Sequence, residues 1–92
     1  MNQLLGQNVP ATAPRFTAKQ GQYLAFIYAY SQINRRAPAE ADFQHYFRVT
    51  APSVHSMIKT LDQAGLIQRQ PGVARSIKLR VSPQELPLLG VN

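Results

Sequence analysis

The sequence predicts a mainly α domain closed by a small β-hairpin, and three observations predict it. Apolar residues recur at spacings of three and four between Phe16 and Asn34, and again from Val54 to Leu61, as helices with one buried stripe require. The period then changes: from Ser76 to Val81 the chain alternates, with Ile77, Leu79 and Val81 on one side and Ser76, Lys78 and Arg80 on the other. Between that stretch and the apolar Leu66-Ile67 stands Pro71-Gly72, a turn signal that joins two strands into a hairpin.

The elements follow in order. Residues 1–15 contain Gly6, Pro10 and Pro14 among small polar neighbours and read as a flexible N-terminal arm. A first helix is predicted from Phe16 to Asn34. Thr17 and Gln20 form a capping box, Phe16 holds the staple position, and Tyr23, Leu24, Ile27 and Tyr30 make the buried stripe. Gly21 weakens this helix. After a break at Arg35 to Pro38, a short second helix spans Ala39 to Phe47, with Glu40 and Asp42 favouring its positive N-terminal end. Phe43 and Phe47 share its inner face. Arg48, Val49 and Thr50 connect to a third helix, where Thr50 is the cap and Pro52 occupies the first turn without wasting an amide hydrogen. That helix buries Val54, Ile58 and Leu61, runs to Ala64 and stops at Gly65, which can take the left-handed conformation. Strands are predicted at Leu66 to Gln70 and Ser76 to Val81. The domain thus occupies residues 16–81, and residues 82–92, with Pro83 and Pro87, read as a C-terminal tail.

Composition narrows the function. A chain of 92 residues makes one domain. It has no cysteine, which fits a reducing cytoplasm and removes disulfides and thiolate metal sites. No stretch approaches the ~20 apolar residues that span a bilayer, and the N-terminus lacks the pattern of a secretory signal. Net charge is +6, and seven of the ten cations are arginine. Such a balance points to a polyanionic partner, and the planar guanidinium suits phosphate. The most positive part per residue is the last third, from Gly65 onward.

Helix, short helix, tight connection, helix and basic hairpin is the order of a three-helix winged helix-turn-helix. In that arrangement the third helix enters the major groove of double-stranded DNA and the hairpin, or wing, lies along the phosphate backbone. The outward face of the third helix is small and polar, so it can sit deep in the groove. The expected DNA-binding residues there are Thr50, Pro52, Ser53, His55, Ser56 and Lys59. In the wing, Arg69, Arg75, Lys78 and Arg80 put four cations within twelve residues without an acid among them, and Arg69, Arg75, Ser76 and Lys78 complete the expected set. Arg75, just past the turn, is expected to bring a free guanidinium to phosphate.

No enzyme is expected. His45 and His55 match no metal-ligand spacing, and no nucleophile–base pair, glycine-rich phosphate loop or Walker lysine is present. No cofactor, metal, small-molecule ligand or membrane is expected either. The aromatic residues crowd the first two helices, and Phe26, Tyr28 and Tyr30 make the first helix apolar on more than one face, which suggests contact with a second copy. Two other readings stay open: a winged helix used for protein–protein contact, and a non-specific nucleic-acid-binding protein.

At the level of motifs the chain resembles the N-terminal DNA-binding domain of the LexA repressor family. The likeness is carried by FTAKQGQYLAFI, APAEADFQHYF, APSVH, LDQAGLIQR, ARSIKL and LPLLG, and extends over about residues 15–90. LDQAGLI before a basic hairpin also occurs in other winged helices, MarR-type regulators among them; the opening helix and LPLLG favour LexA. The resemblance implies a winged fold, operator binding as a homodimer, repression of transcription in the cytoplasmic nucleoid, and base reading by Pro52, Ser53, His55 and Ser56. The stretch from Val49 to Gly65 is one residue shorter than is usual in that family. LexA proteins continue into a self-cleaving domain, whereas this sequence stops at Asn92; a stand-alone domain without self-cleavage is the expectation.

Overall fold

A computed structural model describes residues 15–90. Three helices, α1 (Ala18–Asn34), α2 (Glu40–Phe47) and α3 (Ala51–Gln63), precede two short strands, β1 (Ile67–Gln68) and β2 (Lys78–Leu79). The strands pair antiparallel with Ile67 opposite Leu79 and Gln68 opposite Lys78. A 3-10 turn, Pro83–Glu85, follows. The predicted architecture, mainly helical with one hairpin after the third helix, is the observed one. Of the arm assigned to residues 1–15, only Arg15 lies within the described residues.

The helix ends form as their residues dictate. Thr17 Oγ1 accepts the amide of Gln20 at 3.1 Å, and Gln20 Oε1 accepts the amide of Thr17 at 2.9 Å, the reciprocal pair of a capping box. Thr50 Oγ1 caps α3 by accepting the amide of Ser53. At the far end of α3, Gly65 adopts φ 76°. The amides of Gly65 and Leu66 then reach back to the carbonyls of Asp62 and Leu61, both at 3.0 Å. This closure turns the chain sharply into β1.

One core joins all three helices and the hairpin: Tyr23, Leu24, Phe26 and Ile27 from α1, Phe43 from α2, Val54, Ile58 and Leu61 from α3, then Leu66, Ile67, Ile77 and Val81. Its centre is aromatic. The Tyr23 ring stacks on Phe47 at 4.5 Å between centroids and on Phe43 at 5.4 Å, while Phe26 meets Phe43 at 5.0 Å and Tyr46 at 4.8 Å. Such offset and edge contacts add to the burial of area itself. Burial also pushes the Tyr23 phenol above its ordinary range.

Two expectations change. The strands are shorter than predicted, and at the turn end the Ser76 side chain replaces a backbone rung. The Ser76 hydroxyl accepts the amide of Gln70 at 2.9 Å and lies 3.1 Å from its carbonyl, so a side chain supplies that rung. Arg75, just before the predicted second strand, has φ 56° and turns the chain into it. The second change concerns residues 82–90, which fold back along α1. Gln22 donates to the carbonyl of Leu88 at 2.9 Å and accepts the amide of Gly90 at 2.6 Å, and Arg15 pairs with Glu85 at 3.2 Å. Gly21 explains itself here: a Cβ at that position would stand 3.1 Å from both the Phe16 ring and the Pro87 ring. The residue that weakens α1 as a helix is the one that lets the returning chain approach it.

Candidate nucleic-acid interface

The α2–α3 connection is three residues, Arg48 to Thr50, so α3 starts close to the end of α2 and packs against it. Val54, Ile58 and Leu61 anchor the inner side of α3. The opposite side exposes Pro52, His55, Ser56 and Lys59, with Thr50 exposed at the cap and Ser53 half-buried. The structure therefore brings the six expected residues of this helix onto one end and one outward face. His55 Nδ1 lies 3.4 Å from Glu40 Oε2, and the His55 side chain remains 61% exposed. Exposed pairs of this kind add little stability, so the imidazole stays available at the surface.

The wing is less uniform than its sequence. Residues Gln70 to Val73 form a tight turn closed by a 3.1 Å hydrogen bond from the Val73 amide to the Gln70 carbonyl. Pro71 takes its second position and Gly72, at φ 78°, its third, as a type II turn requires. Lys78 and Arg80 are exposed on the outer side of the hairpin, while Ile77 and Val81 are buried beneath it. The alternation predicted for this stretch holds.

Arg69, Arg75 and Ser76 are placed differently from Lys78. Arg69 is 17% exposed, with Nε 3.4 Å from Asp62 on α3. Ser76 spends its hydroxyl on the wing loop, 2.9 Å from the carbonyl of Val73 as well as on Gln70. Arg75 sits at the base of the wing and not at its tip. Its Nη1 lies 3.1 Å from the Tyr30 hydroxyl, 3.1 Å from the Ala37 carbonyl and 3.0 Å from Asp42 Oδ2. One guanidinium thus joins the wing to α1, to the α1–α2 connection and to the first turn of α2. The same Asp42 oxygen accepts the Ala39 amide at 2.8 Å. Partial burial pushes the Asp42 carboxyl up, but the Ala39 amide, Arg75 and Tyr30 outweigh it and hold the carboxyl below its ordinary range. The Tyr30 hydroxyl and Asp42 raise Arg75 above its already high range. Sequence spacing carries no signal for this junction, because Arg75 and Asp42 are 33 residues apart.

The ion pairs redistribute the net charge. Each of the four acids has a cationic or imidazole partner: Glu85 with Arg15, Asp42 with Arg75, Asp62 with Arg69 and Glu40 with His55. Among the described residues, Lys19, Arg35, Arg36, Arg48, Lys59, Lys78 and Arg80 are left without an acidic partner, and all seven are exposed. Among the described residues, the exposed positive charge therefore has one carboxylate near it that no Lys or Arg neutralises, Glu40, whose partner is the His55 imidazole. Among those residues no group of three or more histidines and carboxylates could hold a metal ion, and no helix is long and apolar enough to cross a membrane.

No family model matches the chain. It is 36% identical over 77 residues to a LexA repressor of Thermosipho melanesiensis and 32% identical over 72 residues to one of Thermosipho africanus. These alignments take in 84% and 78% of the chain but 38% and 36% of the two repressors, so the chain spans little more than a third of the curated relatives it matches. The resemblance read from separate motifs thus extends over most of the chain.

Proposed function

Over this stretch the chain is a LexA-like domain, and on that premise we propose that it binds double-stranded DNA sequence-specifically to regulate transcription, as a repressor. The carrying observation is the outward face of α3: small, polar and exposed, anchored by an apolar inner side, on a domain where, among the described residues, three of the four acidic side chains are paired with arginine and seven exposed cations have no acidic partner. Inserted into the major groove, its N-terminal half presents Pro52, Ser53, His55 and Ser56 to base edges, Thr50 lies at the backbone, and Lys59 reaches phosphate one turn further on.

In the wing, Lys78 and Arg80 are the cations free to bind phosphate. Arg75 and Ser76 serve binding by holding the hairpin in place, and Arg69 ties its first strand to α3. Two copies would read two half-sites about one helical turn apart. The contact between them does not centre on Phe26, which is buried, or on Tyr30, which is committed to Arg75; of the three aromatic residues expected there, Tyr28 alone is exposed. Duplexes selected from a random library, then titrated against scrambled competitors, test the proposal. A shared motif bound at least a hundredfold more tightly than scrambled DNA is the expected result, since specific binding commonly exceeds non-specific binding by ~10³ or more. Equal affinity for every duplex would leave non-specific binding as the function.

A further inference from the structure

Among the described residues, three other than glycine adopt positive φ: Arg35 at 58°, Arg48 at 57° and Arg75 at 56°. All three are arginine, although this region crowds any residue with a Cβ and glycine enters it without that penalty. Arg75 uses its side chain inside the fold, with its three hydrogen-bonded neighbours. Arg35 and Arg48 do not. Each closes a helix through its backbone, the Arg35 amide donating to the Ser31 carbonyl and the Arg48 amide to that of Gln44. A glycine would make those backbone bonds with less strain. Both side chains are exposed, and neither has an acidic partner among the described residues. Two positions suited to glycine therefore carry guanidinium groups that the fold itself does not use. Strain kept where the fold gains nothing from the side chain points to a ligand.

We infer that Arg35 and Arg48 bind the phosphate backbone of DNA, each through its planar fork of donors. The inference rests on the DNA-binding reading above and adds two contacts to it. Arg48 stands two residues before Thr50, so its side chain leaves the chain at the end of α3 that would enter the groove. Arg35 lines a hollow between the end of α1 and the second wing strand, together with Arg36 and Lys78. One contact thus flanks the base-reading helix, and the other extends the wing's phosphate track behind β2. A merely solubilising charge would be served as well by a lysine on an open helix face, where no left-handed strain arises.

Glycine substitution separates backbone strain from side-chain use. Arg35→Gly and Arg48→Gly, singly and together, are compared with wild type by thermal unfolding and by titration with a bound duplex at several salt concentrations. Each variant is expected to melt a few degrees higher. Each is also expected to bind roughly fivefold more weakly near physiological salt and to lose about one unit of salt slope, the loss of one phosphate contact. Arg48→Lys, which keeps the charge without the fork, should keep most of the slope and bind more weakly than wild type. A wild-type slope in the glycine variants overturns the inference and leaves the DNA-binding reading intact. A lowered melting temperature also overturns it, since the side chain would then serve the fold; so does wild-type affinity in Arg48→Lys, which would leave the planar fork without a role. A wild-type chain that binds no duplex overturns the DNA-binding reading itself, and with it this inference.

Discussion

Helices α1 and α3 divide the work of the domain between them. Seven consecutive residues of α1, Gly21 to Ile27, are buried, whereas α3 buries only Val54, Ile58 and Leu61. The aromatic residues of α2 cover one side of α1, the returning residues 82–90 another, and the base of the wing a third through Arg75 and Tyr30. The outer side of α3 is uncovered. A helix buried through its middle is a scaffold, and most of its apolar excess, Tyr28 and Ile33 apart, is absorbed within its own chain. A helix with one anchored side can offer the other to a partner. Excess hydrophobicity on α1 therefore does not by itself mark an interface, whereas the polar face of α3 is left uncovered for the partner proposed above.

The largest effect that would test this contrast belongs to the scaffold. Phe43 is fully buried between Tyr23 and Phe26. Phe43→Ala should cost about 3–5 kcal/mol of folding free energy in denaturant unfolding. A loss below about 1 kcal/mol would mean that the aromatic cluster repacks and that α1 is less tightly wrapped than its burial implies.

Arg75→Ala comes next, because it uncouples the wing from both helices and leaves the half-buried Asp42 carboxylate without its cation. A loss of about 1–3 kcal/mol in stability is expected. The salt slope of DNA binding should stay at its wild-type value, since this guanidinium is turned inward. A slope lower by about one unit, with stability intact, would instead make Arg75 a phosphate ligand.

The outward face of α3 should behave in the opposite sense. Ser53→Ala, His55→Ala and Ser56→Ala are each expected to shift folding stability by no more than about 0.5 kcal/mol. Where the residue reads a base, the variant should weaken specific binding by about 1–3 kcal/mol while leaving random DNA nearly unaffected. Equal losses on specific and random duplexes would show that these residues only touch phosphate.

The smallest effect is the dependence on acid. Asp42 has its folded-state pKa lowered, so its contribution to stability is present above the unfolded carboxylate value and disappears as pH falls through the folded one. Melting temperature should be flat from neutral pH down to the ordinary carboxylate range and fall below it, with a shallower acid limb in Asp42→Asn. An acid limb unchanged by that substitution would assign the dependence to other carboxylates, Glu85 first, whose pKa the Ser82 amide and Arg15 lower.

Local signals in the sequence were reliable where one turn of chain makes the structure. The capping box at Thr17, the cap at Thr50, the stop at Gly65, the Pro71-Gly72 turn and the alternation from Ile77 to Val81 all appear where their residues place them. The candidate α3 face was legible for the same reason: helical period alone separates Val54, Ile58 and Leu61 from His55, Ser56 and Lys59. The wing was legible as a hairpin but not as a distribution of charge. Its four cations look alike in sequence, yet Arg69 and Arg75 are held by acids on the helices while Lys78 and Arg80 are free.

By itself, then, the sequence determined the order and ends of the helices, the hairpin, the buried stripes and the sign of the surface charge, because each follows from contacts a few residues apart. The tertiary structure alone decided which charges remain available, why Gly21 is needed, and that residues 82–90 lie against α1. Those features depend on partners separated by tens of residues, such as Arg75 with Asp42, Arg15 with Glu85 and Gln22 with Leu88. No period or spacing encodes such pairs. They arise only when the packing of a common apolar core brings distant segments within hydrogen-bonding reach.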